Sequence, residues 1–193
     1  MRRFENKVAV VTGASRGIGQ SILLAFAREG AHAVSVDIGD NSETAEKVAA
    51  TGRVDVLVNN AGIIKRNPAV DFPEEDWNSV IQINLTAPFF LCQAFAKWWL
   101  TGGRELSPED ARLKIVNIAS MLSFQGGILV PSYTAAKSGI AGITRALACE
   151  WAKDRINVNA VAPGYIATEN TRPIREDEKR NESILARIPE GRS

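Results

Sequence analysis

Short apolar runs that end in Gly, Asn or Asp alternate along the chain with longer stretches whose apolar residues recur at helical spacing. Residues 7–12 (KVAVVT) are β-branched and lead into glycines, which predicts a strand followed by a turn. Over residues 18–28, apolar positions 18, 22, 23, 26 and 27 share one helix face. A second strand is expected over 33–37, ending in an acid, then a short helix over 42–51 capped by Ser42, and a third buried strand over 54–59. Pro73 and the acids Glu74, Glu75 and Asp76 suit a helix start. The helix itself is expected over 78–100, with Pro88 able to bend it. Residues 101–112 read as a Gly-, Pro- and charge-rich loop, 113–119 as a strand, 132–153 as a long helix and 156–162 as a strand. Residues 171–187 predict an amphipathic helix in a charged segment.

Strands that are apolar on both faces, alternating with helices, predict an α/β fold: a doubly wound parallel sheet covered on both sides. The 193 residues show no internal repeat, low-complexity tract or interdomain linker, so residues 1–193 are expected to form a single domain.

Composition narrows the function. Lys plus Arg is 23 against 22 Asp plus Glu, a net charge of +1, which argues against nucleic acid or a membrane surface as partner. No apolar run approaches the ~18 residues needed to span a bilayer, and Met1–Lys7 has no apolar stretch of a signal peptide; a cytoplasmic protein is expected. Cys92 and Cys149 stand among Ala, Phe and Leu in helix-like stretches and are expected to be buried free thiols. With His32 the single histidine, read as a solvated edge residue, no Cys/His metal set can be built.

Two constellations carry chemistry. The loop TGASRGIG (residues 12–19) lies between a predicted strand and helix, where glycines allow a sharp turn and a close approach of pyrophosphate to the helix N-terminus. Its spacing is GxxxGxG rather than GxGxxG. Asp37 follows at the end of the second strand, placed to bond ribose hydroxyls and repel a 2′-phosphate; with Ile38 next and no adjacent Arg, NAD is favoured over NADP. Arg16 is the one contrary sign, since it could reach such a phosphate. In the second constellation, Tyr133 and Lys137 stand four apart on one helix face and Ser120 ends a strand that opens into the ligand crevice. A phenol titrates near ~10, and a nearby ammonium is expected to lower it for proton transfer near neutral pH. A serine hydroxyl can orient the substrate oxygen.

Together with NNAG (59–62), INLTAPF (83–89), NIAS (117–120), YTAAK (133–137) and PGYIAT (163–168), these residues resemble the short-chain dehydrogenase/reductase family over nearly the whole chain. The resemblance implies a Rossmann-like fold, Tyr133 as acid/base, Lys137 also bonding the nicotinamide ribose, Ser120 holding the carbonyl and Asn84 positioning a water in a proton relay. It implies Gly13, Ser15, Arg16, Gly17, Ile18, Gly19, Asp37 and Ile38 around the adenosine and pyrophosphate, and Asn60, Ala61 and Gly62 beside the adenosine ribose. Pro163, Gly164, Ile166 and Thr168 would flank the nicotinamide. Longer stretches at 60–66, 118–139 and 162–171 resemble the branch acting on 2-deoxy-D-gluconate and 2-dehydro-3-deoxy-D-gluconate, which implies NAD-linked interconversion of an alcohol and a ketone on a sugar acid. Arg66 or Arg172 could then meet the carboxylate, and Gln125 and Tyr165 could bond hydroxyls. Rival expectations are a reductase for a 3-oxoacyl thioester or a ketose, or a non-catalytic NAD-binding protein.

The resemblance also implies a homotetramer built on helices 78–100 and 132–153, with Phe89, Phe95, Trp98, Trp99 and Trp151 at interfaces, and a substrate lid over about 168–193. The family layout would place a further strand and helix, ~30 residues, between Gly52 and Arg53, and a last helix and strand after Ser193. Neither is present in the 193 residues, and the expectation is that these residues omit stretches of a longer chain.

Overall fold

The computed structural model describes residues 2–37, 52–168, 171–188 and 190. Its strands are β1 (Val8–Thr12), β2 (His32–Val36), β3 (Val56–Asn59), β4 (Leu113–Ile118) and β5 (Ile156–Val161). They form one parallel sheet in the order β2-β1-β3-β4-β5. The chain therefore starts in the middle, runs to one edge and crosses back, which leaves the C-terminal ends of β1 and β3 together at the reversal of strand order. Ligands of open parallel sheets bind at that reversal.

Side-chain alternation along β1 divides the core in two. Val8 and Val10 join Leu57, Leu113, Ile115 and Trp99 on one face, while Ala9 and Val11 join Val56, Val58 and Ile118 on the other. Helix α1 (Gly17–Arg28) covers the second face with Ile22, Leu23 and Phe26. Each such apolar side chain taken fully out of water contributes about 1.5–3 kcal/mol. The doubly wound reading is thus met residue by residue.

The first face is covered by a helical run from Glu74 to Gly103 and by α4 (Pro131–Trp151). The run starts four residues earlier than the pattern predicts, because Pro73 precedes three acids that favour a helix N-terminus. It comprises α2 (Glu74–Ile81), a wide π turn at Gln82–Thr86, and α3 (Ala87–Trp98) with Pro88 in its first turn. The wide turn lies just before Pro88, whose missing N–H removes one rung of the helix ladder at that point. By length and composition this helix could cross a membrane, contrary to the reading that no stretch is apolar enough, since its best window has a mean hydropathy of 1.3. Cys92, Ala96 and Trp99 nonetheless pack it against the sheet.

Some expectations change. Trp99 is a core residue, 1% exposed, with its indole N–H donating to the Asp154 carbonyl at 2.9 Å, so it is not surplus to the core. Phe89, Phe95, Trp98 and Trp151 are partly buried against the same cluster. Cys92 is buried but Cys149 is exposed, because it falls on the outer face of α4. His32 is exposed. The single helix expected over 171–187 is two, α5 (Arg172–Arg175) and α6 (Glu178–Leu185), with Asp177 capping α6 by accepting from the Arg180 N–H. The helix expected over 42–51 lies outside the described residues.

Candidate active site

At the reversal, the glycine loop is held from behind. Thr12 Oγ1 accepts the backbone N–H groups of Asn60 and Ala61 at 3.0 Å each, and the Asn60 amide donates to the carbonyls of Thr12 and Gly13. The loop presses so closely on this brace that a Cβ on Gly13 would lie 2.8 Å from Ala61 Cα, and one on Gly19 would lie 2.3 Å from Asn60 Nδ2. Gly13 also has φ +64°, a conformation other residues adopt at a cost. Asn60 and Ala61 therefore shape the loop from below. The front of the loop is open: Ser15, Arg16 and Gly17 are exposed, Ile18 is half-buried, and α1 begins at Gly17 with no side-chain cap. Its first N–H groups are left for a ligand, as a pyrophosphate cradle requires.

Asp37 reaches this loop and accepts the Ser15 backbone N–H at 2.8 Å, which fixes its carboxylate beside the cradle. Ile38 lies outside the described residues. Across the cleft, Pro163 and Gly164 follow β5, Ile166 is exposed, and Thr168 is near the loop, its Cγ2 3.9 Å from where a Gly17 Cβ would be. A dinucleotide fits this arrangement: an open cradle at a helix start, an acid beside it and a polar segment opposite.

The second constellation assembles where β4 ends. Ser120 stands at the start of a short turn, its hydroxyl accepting the Leu122 N–H at 3.2 Å and lying close enough to the Tyr133 phenol to influence its pKa. Ser123 donates its hydroxyl to the Lys137 carbonyl at 2.7 Å, tying this turn to α4. Lys137 is 4% exposed; its ammonium donates to the Ile118 carbonyl and lies 5.6 Å from the centre of the Tyr133 ring. Burial lowers its pKa to about 8.

The phenol departs from the expected direction. Burial raises the Tyr133 pKa above its ordinary value, while the hydrogen bond from Ser120 and the charge of Arg66 pull it down by less. Lys137 faces the ring and is engaged by a backbone carbonyl, which is why its charge does not decide the phenol's titration here.

Asn84 is fully buried in the π turn, and its amide donates to the carbonyls of Ile63 and Val80 at 2.9 Å each. Two carbonyl partners fix which end is nitrogen, so Oδ1 points the other way, toward Gly62, with no partner among the described residues. An unsatisfied buried acceptor of this kind is a place for an ordered water.

A cavity of about 260 Å³ opens beside Tyr133. Gln125, Tyr165 and Arg66 line it, as the sequence reading expects of substrate residues, together with Pro163 and Gly164. Arg172 does not; it lies outside and pairs with Glu176 at 3.7 Å. Arg180 and Arg187 line the cavity and were not singled out from sequence. Their three- and four-residue spacing from Ile184, the buried face of α6, was the available signal.

A family model described as short chain dehydrogenase matches residues 7–51 and 41–179. Among curated proteins, 2-dehydro-3-deoxy-D-gluconate 5-dehydrogenase of Escherichia coli K12 is 47% identical over 216 aligned positions, covering 97% of this chain and 83% of the relative. Since those positions outnumber the residues of this chain, the relative carries residues inside the aligned stretch that this chain lacks. Among solved structures, an Agrobacterium tumefaciens protein assigned as a 2-deoxy-D-gluconate 3-dehydrogenase, with bound NADP, is 47% identical with a TM-score of 0.84, over 97% of this chain and 83% of that one. A gluconate 5-dehydrogenase from Burkholderia cenocepacia, in complex with NADP and tartrate, is 28% identical with a TM-score of 0.84, over 98% and 83%.

Proposed function

The chain belongs to the short-chain dehydrogenases, and from that premise we propose that it interconverts a secondary alcohol and a ketone on a sugar acid such as 2-deoxy-D-gluconate or 2-dehydro-3-deoxy-D-gluconate. The observation that carries the reading is Tyr133 at the wall of a cavity, with the Lys137 ammonium 5.6 Å from its ring and Ser120 close to its phenol, beside an open glycine cradle. The names of the similar proteins support the substrate class.

Gly13, Ser15, Arg16, Gly17, Ile18, Gly19, Asn60, Ala61 and Gly62, with Pro163, Gly164, Ile166 and Thr168, would hold a nicotinamide dinucleotide, which would supply or accept the hydride. Ser120 and Tyr133 together hold the substrate oxygen, since the Ser120 hydroxyl stands close enough to the phenol to lower its pKa and Tyr133 lines the cavity. A phenol with a raised pKa is protonated at neutral pH and is ready to give its proton when a ketone is reduced. Oxidation needs the phenolate, so its rate rises with pH through the phenol's pKa. Lys137 carries the replacement proton, with a pKa of about 8 that lets it give and take one near neutrality. Asn84 Oδ1 holds the water that continues the relay.

Asp37 is the basis for preferring NAD: a carboxylate fixed by the Ser15 N–H would repel a 2′-phosphate. The similar structures with NADP make this a real choice to be measured. Residues 171–188 serve as a lid within a single domain. Exposed Phe90 and Leu100 support assembly into a homotetramer through the long helical run.

A panel assay tests the reading. The purified protein, given NADH or NADPH, is offered 2-dehydro-3-deoxy-D-gluconate, a ketose and a 3-oxoacyl thioester, with 2-deoxy-D-gluconate and NAD in the reverse direction. Turnover of a sugar acid, faster with NADH, is expected. Turnover of the thioester with none on any sugar acid would overturn the assignment.

A further inference from the structure

The cavity beside Tyr133 has an uneven charge. Three of the residues that line it are arginines, Arg66, Arg180 and Arg187, and none is an Asp or Glu among the described residues. The arginines come from two separate segments of the chain. Arg66 is on the segment after β3, while Arg180 and Arg187 are on and just after α6.

We propose that Arg66 and Arg180 form a two-pronged site for the substrate's carboxylate, one guanidinium from each segment. The proposal rests on the sugar-acid reading and names what recognises the acid. Guanidinium and carboxylate match in shape and charge, and each such bond is stronger than one between neutral groups.

Three observations support it. First, Arg66 is half-buried at the cavity, and burial together with the charge of Arg180 holds its pKa below the ordinary arginine value, so the two guanidinium groups lie within electrostatic reach of one another. Second, the Arg180 guanidinium has no acidic partner among the described residues, although Glu178 and Glu182 share its helix. Third, the Arg66 segment is braced on either side. Its neighbours both reach back to Asp76, Lys65 in an ion pair at 3.1 Å and Asn67 in a hydrogen bond at 3.1 Å. The Asn67 N–H is also held by the Leu129 carbonyl at 3.0 Å. Arg66, between them, lines the cavity.

Arg66, Arg180 and Tyr133 line the same cavity of about 260 Å³, so one short sugar-acid chain can meet the phenol and the guanidinium groups together.

Calorimetry on the NADH-loaded protein decides the matter with two probes, D-gluconate and D-glucitol, which differ in carrying a carboxylate or an alcohol at one end. The wild type is expected to bind gluconate at least about ten-fold more tightly. Arg66→Gln and Arg180→Gln should each remove most of that preference while leaving glucitol binding as it was. Arg172→Gln, outside the cavity, should keep it, and Arg66→Lys should restore part of it. Thermal unfolding of each variant separates lost recognition from lost structure. A wild type without the preference, or folded Gln variants that retain it, would overturn the site. The substrate panel is read separately: no turnover of any sugar acid, with the preference intact and arginine-dependent, removes the proposed reaction but keeps the carboxylate site.

Discussion

The two walls of the cleft are built in different ways. On one, Ser120, Tyr133 and Lys137 come from a strand end and a 21-residue helix, and each is tied down by a backbone partner or by another member of the set. On the other, the arginines come from a loop and from an eight-residue helix whose buried contact is Ile184. Proton transfer needs atoms held within hydrogen-bond reach, and a partly dry setting that moves pKa values. Recognition of a carboxylate needs charge, which acts over a longer range and tolerates a more exposed position. The contrast teaches that the parts that would do chemistry are placed on the stiffest elements, and the parts that would choose the substrate on elements that can differ.

The comparison breaks most visibly at Tyr133. Tyr133→Phe removes the proton donor and keeps the ring, so kcat should fall about 10²–10⁴-fold while NADH binding, followed by fluorescence, stays the same. Substantial residual turnover would show that the rigid wall does not supply the proton.

Lys137→Met probes how far that wall is dry. The lysine pKa is about 8 in the fold against an ordinary 10.5, so the folded protein binds fewer protons than the unfolded chain between those values. Wild-type stability therefore rises as pH increases through that window, by up to about 3 kcal/mol, and below pH 8 the full cost of the buried charge is present. The variant lacks this dependence. Denaturant unfolding should show the variant losing ground against wild type from pH 8 to 10.5, and parallel curves would mean that the ammonium is solvated. Turnover should be lost at every pH.

The smallest effect is expected at the cofactor end, where selection again depends on charge. Asp37→Ala should raise the ratio of NADPH to NADH efficiency by about ten-fold, the size of one charge-assisted contact. An unchanged ratio would show that this acid does not select the cofactor.

Local patterns were enough for most of the frame. The five described strands fall within a residue or two of where apolar runs end, because a strand buried on both faces leaves a continuous signal. Tyr133, Lys137 and Ser120 were legible because their spacing on one helix and at one strand end is itself the geometry. Cys149 was misread because Ala and Leu surround it on both faces of α4, and apolar neighbours in sequence do not say which face is covered.

By itself, then, the sequence determined the alternation of strands and helices, the glycine cradle and the Tyr133–Lys137 pair, since each depends on neighbours a few residues apart. Only the tertiary structure decided that Trp99 lies in the core, that burial raises rather than lowers the Tyr133 pKa, and that Arg180 lines the same cavity as Arg66 while Arg172 does not. Desolvation and long-range charge depend on which surfaces the fold brings together, and residues more than a hundred positions apart carry no mark of that meeting in their local pattern.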